Sequence, residues 1–437
     1  MGDKARQAAL DALRRCRRDG AWSAQAVDGA IRKYALDARD AALASRLALS
    51  VLQNGDYLDY YLNLFCDKPV EPGLRDILRL GACQLLLTDR IPAHAAVGET
   101  VQLCRENAYA RAAGLCNAVL RKLAASRESL PPIPGEGTEA YLHLRYSHPT
   151  WLARRLLREH DYAFVEAFFK ENNEPAPLTI QVNTLRVSVE DYCRALNRAE
   201  IEYKSHEALP GCLTLAGGSV TALPGYDEGL FYVQDRAARA AAEIAAPAAG
   251  QRVLDACAAP GGKSFAAAIY MGDTGHIISC DLQENKLKRV REGAERLGIQ
   301  CIETKPADGR SIDPAWEESF DLVLADVPCS GLGVIRKRPE IRQKTEEEIG
   351  GLPAVQAAIL DNVSRYVKPG GVLLSSTCTV LDAENGAQIR AFLERNRAFS
   401  AEDFTLGAIR STEGSYTFWP QIDGTDGFFV CKLRKNT

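Results

Sequence analysis

Apolar residues in the first 127 positions recur at intervals of three to four residues along the chain. Leu43, Leu47 and Val51 show this spacing, and no alternating, strand-like run interrupts the region. A period near 3.6 residues marks a helix with one buried face. We therefore predict an all-helical bundle over residues 1–127.

A Pro-rich and Gly-rich stretch, Ser126–Thr138, follows and predicts an exposed linker. Beyond it, the pattern of Tyr141–Phe169 predicts helical structure, and Leu178–Arg186 has the apolar, β-branched character of a strand. A helix over 188–199 and short strands over 211–216 and 230–233 complete the region. Residues 138–232 are thus predicted to form a small α+β module with leading helices.

From Val233 onward, short apolar strands alternate with helical stretches such as Glu284–Leu297 and Val355–Val367. The predicted strands are Val253–Asp255, His276–Cys280, Cys301–Thr304, Phe320–Ala325 and Val372–Ser376. Such alternation is typical of a parallel sheet with helices on both faces. We predict an α/β, Rossmann-like domain over residues 233–437.

Composition agrees with a globular protein of two or three domains, since the 437 residues are 46% hydrophobic and 25% charged. No apolar run reaches the roughly 18 residues of a membrane helix, and the N-terminus lacks the apolar segment of a signal peptide. We expect a cytoplasmic protein. Thirteen cysteines with no Cys-x-x-Cys pair argue against a disulfide framework and against a zinc finger.

Charge is distributed unevenly along the chain. Residues 1–130 hold 19 Lys and Arg against 15 Asp and Glu, net +4, whereas the remainder carries net −8. Arg14, Arg15, Arg17 and Arg18 cluster in one early helix. Such a cluster can follow a phosphate backbone, and it can equally be a solvated helix face.

The sequence VLDACAAPGGKS, Val253–Ser264, has the strand, tight turn and helix order of a nucleotide-type site. Paired glycines let a ligand approach the backbone, and the following helix start supplies N–H donors. Glycines also end strands for structural reasons, so the turn alone leaves both interpretations open. The candidate cofactor-binding residues are Cys257, Ala258, Ala259, Pro260, Gly261, Gly262, Lys263 and Ser264.

Acidic residues stand at or just beyond the ends of four predicted strands: Asp255, Asp281, Asp308 and Asp326. Ligands of open α/β sheets bind beyond the carboxyl ends of the strands. Asp281 follows the glycine turn by about 20 residues, the distance for ribose contact. It can also cap the following helix, and the two roles are compatible. The turn is not G-x-G-x-x-G, which disfavours a dinucleotide oxidoreductase and suits S-adenosylmethionine better.

Two cysteines follow predicted buried strands. Cys329 lies in LADVPCSGLG and Cys378 in LLSSTCT. Either cysteine alone would be interpreted as a packing residue. Together at strand ends they indicate thiol chemistry.

The words DACAAPGGKS, ISCDLQENKL, PADGR, DVPCSGLG, RPEIR, STCT and GFFVCKLRK occur in one order along the chain. In this order they resemble the Sun/RsmB group of RNA 5-methylcytosine methyltransferases. Residues 1–127 resemble the NusB-type RNA-binding fold, and the α+β module resembles the RRM-like segment that precedes the catalytic domain in that group. The resemblance implies a class I methyltransferase domain over 233–437.

The same resemblance implies roles for individual residues. Cys378 is expected to attack C6 of cytosine, Cys329 to assist release of the enzyme, and Asp326 to hydrogen-bond N3 of the base. Asp308 is expected at the adenine amino group, and Lys263 beside the cofactor-side acids. The implied cofactor is S-adenosylmethionine and the implied partner is 16S rRNA, bare or in an early particle. We expect a monomer with no metal and no membrane partner.

Three other functions are compatible with parts of this pattern. A tRNA cytosine-5 methyltransferase would perform the same reaction, but the NusB-like front argues against it. A non-catalytic RNA-binding or antitermination factor would need neither cysteine. A DNA cytosine methyltransferase would resemble this chain only at the Pro-Cys cysteine.

Overall fold

The computed structural model describes residues 3–66 and 68–437, which form two compact units. The first, here called the helical unit, comprises Met1–Pro175 and Ile335–Glu346. The second, the sheet unit, comprises Ala176–Val334 and Glu347–Thr437. The short segment Ile335–Glu346 therefore packs with residues that lie far from it in sequence.

The helical unit contains the predicted all-helical bundle, and it also includes later helices up to Glu171. Its first helix begins at Asp3, whose carboxylate accepts from the backbone N–H groups of Ala5 and Arg6, and it ends at Gly20 with φ of 61°. The helices are α1 (Lys4–Asp19), α2 (Ser23–Tyr34), α3 (Ala38–Gln53), α4 (Gly55–Asn63), α5 (Pro72–Leu86), α6 (Ala93–Glu106), α7 (Ala113–Ala125), α8 (Glu139–Tyr146), α9 (Thr150–Leu156) and α10 (Tyr162–Glu171).

Helix α5 supplies much of the core of this bundle, with Ile77, Leu78 and Leu80 fully buried. Gly81 allows α7 to approach closely, because a Cβ at this position would lie 2.6 Å from a methyl group of Leu120. Each buried apolar side chain of this size contributes about 1.5–3 kcal/mol of transfer free energy. The three-to-four spacing in the sequence thus corresponds to real burial.

Arg342 holds the segment Ile335–Glu346 in place within the helical unit through hydrogen bonds. Its buried guanidinium donates to the backbone carbonyls of Gln53, Tyr146, Ser147 and Asn172. Burial lowers the pKa of Arg342 to about 9, which still leaves it charged near neutrality. Since a buried charge needs polar partners, these carbonyls fix where the segment lies.

The region after the bundle follows its predicted character in more detail. The linker Ser126–Thr138 is largely exposed, as predicted, but Ile133 is buried in the bundle core. The helical region predicted over Tyr141–Phe169 consists of three helices, α8 to α10. Pro149 has no N–H for a continuing helix, and Asp161 caps α10 through the backbone N–H of Phe164.

The sheet unit begins with the predicted α+β module. Its elements are β1 (Leu178–Val182), α11 (Val189–Arg198), β2 (Tyr203–Ser205), β3 (Cys212–Leu215) and β4 (Phe231–Val233), with strand order β2-β3-β1-β4. Strand β1 is shorter than predicted because Asn183 turns the chain, its side chain accepting from the Leu185 N–H and donating to Gly229. Strand β2 was not predicted, being three residues long with an exposed end.

The remaining elements form the large sheet and its covering helices. They are α12 (Arg236–Ala245), β5 (Arg252–Asp255), α13 (Gly262–Tyr270), β6 (His276–Asp281), α14 (Glu284–Leu297), β7 (Ile302–Pro306), β8 (Phe320–Asp326), α15 (Glu346–Ile349), α16 (Leu352–Val363), β9 (Val367–Thr377), α17 (Gly386–Arg395), β10 (Phe399–Ala401), β11 (Thr405–Leu406), β12 (Ile409–Arg410), β13 (Ser415–Phe418), α18 (Pro420–Asp423) and β14 (Phe428–Lys435).

Strand order in this sheet is β10-β14-β9-β8-β5-β6-β7, with β13 also paired to β14. The parallel arrangement predicted from the alternation holds for β5 to β9, with apolar cores on both faces. Strand β14, which the sequence analysis does not predict, joins β9 antiparallel, so the sheet as a whole is mixed. The helix predicted over Val355–Val367 ends at Val363, and Val367 already begins β9.

Within residues 3–66 and 68–437, no helix combines the length and the apolar character that a bilayer crossing requires.

Candidate active site

The strand register gathers the predicted site residues at one edge of the large sheet. Asp255 pairs with Leu324 across β5 and β8, and Asp326 pairs with Ser376 across β8 and β9. Asp281 ends β6, and the chain reaches Asp308 two residues after β7. Parallel strands end at the same edge, so all four predicted acids are found there.

Asp255 is buried beneath the glycine-containing turn and accepts a hydrogen bond from the helix that follows the turn. It is 1% exposed, and Ser264 Oγ donates to its Oδ2 at 2.7 Å. Burial raises the pKa of Asp255 to about 6. Ser264 also contacts Ser279 Oγ at 2.7 Å, so its hydroxyl faces the sheet interior. Asp255 and Ser264 thus fix the start of α13, and a direct cofactor contact by Ser264 stays a prediction.

Most of the turn lines a cavity of about 390 Å³. Gly261 has φ of 112°, a conformation that favours glycine, and a Cβ there would meet the Phe265 ring at 2.5 Å. Asp326 lies at the same cavity, as do Tyr232 and Gln234 from the end of β4 and beyond. The candidate residues on its wall are Cys257, Ala258, Ala259, Pro260, Gly262 and Lys263.

Asp281 and Asp308 already have partners. Asp281 Oδ1 accepts from the backbone N–H of Gln283 at 3.0 Å, just before α14. Asp308 forms a bidentate pair with Arg310, and the hydrogen bonds from Arg310 lower the pKa of the Asp308 carboxyl. Asp308 also lines a second cavity, of about 270 Å³. Each carboxylate oxygen can accept a further hydrogen bond, so these contacts leave room for ligand hydroxyl or amino groups.

Asp326 is held from both sides. Lys263 Nζ donates to its Oδ2 at 2.6 Å, and Ser376 Oγ donates to its Oδ1 at 2.8 Å. Burial acts to lower the pKa of Lys263, but the charge of Asp326 and the hydrogen bond to it outweigh burial and raise that pKa. The structure therefore places an ammonium–carboxylate pair at the end of β8.

Cys329 and Cys378 lie together, with their Sγ atoms 3.2 Å apart. Cys329 follows β8 by three residues, and Cys378 directly follows β9. The hydrogen bond with Cys378 and burial both raise the pKa of Cys329 well above its ordinary value. Both side chains are half-buried, so the pair can be reached by a substrate. The geometry is that of two adjacent thiols beside the Lys263–Asp326 pair.

Sequence reasoning missed a buried carboxylate near the cysteines. Glu384 is 4% exposed and accepts from the Ser330 N–H at 2.8 Å and from Gln356 Nε2 at 3.0 Å. A glutamate six residues after Cys378, next to the apolar pair Val380 and Leu381, is the only local signal that the sequence offered for it.

Among the residues that the structure describes, no group of three or more His, Cys, Asp or Glu side chains is placed to hold a metal ion.

Family models match three parts of the chain. The description 16S rRNA methyltransferase RsmB/F matches residues 242–434, and the NusB family matches residues 3–125. A third description, the RsmF/B-like methyltransferase ferredoxin-like domain, matches residues 148–221. These matches fall on the large sheet, the bundle and the small module region respectively.

Similar proteins cover nearly the whole chain. The probable ribosomal RNA small subunit methyltransferase B of Bacillus subtilis is 32% identical over 441 residues, covering 98% of both chains. The ribosomal RNA small subunit methyltransferase B of Citrobacter koseri is 35% identical over 406 residues, covering 91% of each. The crystal structure of PH0851 has a TM-score of 0.84 at 26% identity, covering 100% of this chain and 99% of that chain.

Proposed function

Because the chain belongs to the 16S rRNA methyltransferase RsmB/F family, we propose that it methylates C5 of one cytosine in 16S rRNA. The methyl donor is S-adenosylmethionine, and the reaction passes through a covalent bond between Cys378 and C6. The observation that carries this proposal is the 3.2 Å separation of the Cys329 and Cys378 sulfurs, which follow β8 and β9 at the sheet edge where Asp326 ends β8. Binding RNA without catalysis would need neither thiol.

Covalent attack solves a chemical difficulty, since C5 of cytosine is a poor nucleophile. Addition of the Cys378 thiolate to C6 makes C5 enamine-like and able to take a methyl group. When bound, S-adenosylmethionine would supply that methyl group from its sulfonium centre, and the electron pair of the broken S–CH3 bond would stay on sulfur in S-adenosylhomocysteine. The C5 proton then passes to a base, the C5–C6 double bond re-forms, and Cys378 leaves C6 as a thiolate.

The contact between the two thiols favours different roles for Cys378 and Cys329. Because the raised pKa of Cys329 keeps it protonated near neutrality, Cys329 can donate to the Cys378 sulfur. A donated hydrogen bond stabilises a thiolate, both before attack and when Cys378 leaves C6. We therefore assign attack to Cys378 and assistance in release to Cys329.

Asp326 is assigned to N3 of the target cytosine. A carboxyl group that holds N3 must carry or share a proton during C6 attack. Lys263, 2.6 Å away, can supply a shared proton, and Ser376 fixes the carboxylate plane. The Lys263–Asp326 pair would thus hold the base and its charge in one place.

The chain fits S-adenosylmethionine through its cavity and its polar groups. The glycine turn lines the cavity that contains Lys263 and Asp326, which is where the methionine end would lie. In this proposal Asp281 would accept from ribose hydroxyls, and Asp308 from the adenine amino group. We keep Cys257, Ala258, Ala259, Pro260, Gly261, Gly262 and Ser264 as the remaining cofactor-binding set.

RNA is proposed to contact the other regions of the chain. Residues 1–127 supply a basic bundle, residues 138–232 the small module, and residues 233–437 the catalytic domain. C6 is reached only when the cytosine leaves any stack, so the target should be single-stranded, looped or opened. We place the reaction in the cytoplasm, on bare RNA or an early particle.

Transfer of labelled methyl from S-adenosylmethionine to separate pools of unmodified rRNA, tRNA and DNA tests the proposal. We expect label in small-subunit rRNA, at a cytosine that digestion identifies as 5-methylcytosine. Preferential labelling of tRNA would show the related tRNA activity. Absence of label from all three pools, with cofactor bound, would instead favour a binding factor.

A further inference from the structure

Glu384 stands at the centre of a buried polar cluster next to both cysteines. It lies between β9 and α17 and is 4% exposed. Its Oε2 accepts from Ser330 N–H and Gln356 Nε2, and its Oε1 accepts from Thr379 Oγ1 at 3.3 Å. Burying a carboxylate is costly unless its oxygens are hydrogen-bonded. These three hydrogen bonds offset that cost, and they tie Glu384 to the residues that follow both cysteines.

The cluster holds the peptide groups on both sides of Cys329. Gln356 Nε2 donates to the Pro328 carbonyl at 3.0 Å, and the Ser330 N–H donates to Glu384 at 2.8 Å. Gln356 and Glu384 are themselves hydrogen-bonded at 3.0 Å. The backbone before and after Cys329 is thus fixed by two side chains that are bonded to each other.

Cys378 has support that does not depend on Glu384. Asn385 accepts from Thr377 Oγ1 and donates to the Thr379 carbonyl at 3.0 Å, so it holds both neighbours of Cys378. The Gly333 N–H donates to the Cys378 carbonyl at 2.9 Å. Loss of Glu384 should therefore disturb Cys329 more than Cys378.

We propose that Glu384, acting with Gln356, is a positioning residue that sets the Cys329 thiol against Cys378 for release of the methylated RNA. The proposal rests on the proposed function, since release presupposes a Cys378–C6 bond. Misplacement of a reacting group by about 1 Å can cost on the order of 100-fold in rate. A loosened Cys329 loop should therefore slow release while attack and methyl transfer continue.

Glu384→Ala and Glu384→Gln separate positioning from general stability. Alanine removes both accepting oxygens, whereas glutamine keeps one oxygen for Ser330 and Gln356 and can donate to Thr379. We expect Glu384→Ala to keep first-turnover methyl transfer within about 3-fold of wild type. Steady-state turnover should fall by about 10- to 100-fold, and RNA-linked protein should accumulate on denaturing gels. Glu384→Gln should restore most of the turnover.

The matched control is Glu394→Gln, the same chemical change at an exposed glutamate on α17. Adding Cys378→Ala to Glu384→Ala should remove the RNA-linked band. If Glu384→Ala does not fold, Gln356→Met removes the donor to Pro328 while preserving bulk, and it should show the same stalled release.

Three results would overturn the positioning role. The first is wild-type turnover without adduct in a folded Glu384→Ala or Gln356→Met variant. The second is equal loss of first-turnover and steady-state rates with no adduct. The third is a Glu384→Gln variant as impaired as Glu384→Ala, because the negative charge would then matter more than the hydrogen bonds. If wild-type protein methylates no RNA, the proposed function fails, and the positioning role of Glu384 fails with it.

Discussion

Lys263 donates a 2.6 Å hydrogen bond to Asp326 across a separation of 63 residues in the chain. The bond joins the start of α13 to the end of β8, and so links the glycine turn to the Pro-Cys loop. The cofactor side and the base side of the proposed site therefore share one ion pair.

Breaking this pair should affect the chemical step more than binding. Asp326→Asn should lower kcat by about 100- to 10,000-fold, in the range of a lost general acid or base. Lys263→Met should lower kcat by about 100-fold, with a smaller change in cofactor Kd, because a partly unpaired carboxylate holds N3 poorly. Single-turnover kinetics and calorimetry provide the two values. A Lys263→Met variant with normal kcat would remove the ammonium from catalysis.

The two cysteines should fail in different ways. Cys378→Ala should abolish methyl transfer, whereas Cys329→Ala should stall after attack and leave RNA covalently joined to protein. Denaturing electrophoresis should show a slow band that is sensitive to both protease and ribonuclease. The Cys329/Cys378 double variant should lack it. A band in the double variant, or normal turnover in Cys329→Ala, would contradict the assignment.

Asp281 should contribute to cofactor affinity. Asp281→Ala removes an acceptor proposed for the ribose hydroxyls, and a hydrogen bond to a charged group contributes about 1.5–3 kcal/mol. Titration calorimetry with S-adenosylmethionine should show a weaker Kd, by at least about 10-fold. Because Asp281 also accepts from the Gln283 N–H, circular dichroism serves to check that α14 remains formed. Unchanged affinity in a folded variant would exclude the ribose role.

Asp255 should make stability depend on pH in a defined direction. Its pKa of about 6 in the folded chain lies above the ordinary value of 3.8. The contribution of Asp255 to the free energy of unfolding is therefore fully present below about pH 4, and it is lost as pH rises through about 6. The free energy of unfolding should change by about 3 kcal/mol over this window relative to Asp255→Asn. Urea unfolding of both proteins at pH 4, 5, 6 and 7 measures the difference, and a constant difference would contradict the prediction.

Two arginines of α1 should contribute to RNA affinity. Arg14 donates to Asn107 and the exposed Arg17 pairs with Asp76, so the exposed Arg15 and Arg18 are the two side chains to test. If both exposed side chains contact phosphates of single-stranded RNA, the Arg15→Gln/Arg18→Gln variant should lower the salt slope of log K by about 1.4. The RNA KM should rise with little change in cofactor Kd. Lys288→Gln on α14 is the matched exposed control, and an unchanged salt slope would give the arginines another role.

Local pattern was sufficient for the elements that carry the chemistry. The strand-end positions of Asp281, Asp326, Cys329 and Cys378 followed from short apolar runs, because a buried parallel strand needs continuous apolar residues. Their meeting did not follow from pattern alone. It depends on β8 lying beside β9, and strand order is a long-range property of the fold.

Other features depended on partners that the sequence does not reveal locally. Glu384 is a charged residue in a short loop, a pattern typical of an exposed side chain, and it is buried only because Ser330 and Gln356 reach it from other elements. Strand β14 was not predicted. Its apolar run also carries no information about the antiparallel direction in which it joins β9. Asp255 was grouped with the other acids, although its contact with Ser264 makes it a support for the turn.

The contacts of Arg342 have a consequence for synthesis on the ribosome. An N-terminal unit usually finishes folding before later segments emerge. Here the carbonyls of Tyr146 and Asn172 receive their guanidinium only after β1 to β8 have been translated. The helical unit therefore completes its folding only after Arg342 has been translated, when β1 to β8 of the sheet unit have already been made and β9 to β14 have not. A transplant of residues 3–175 alone into another protein would lack the segment that closes the helical unit.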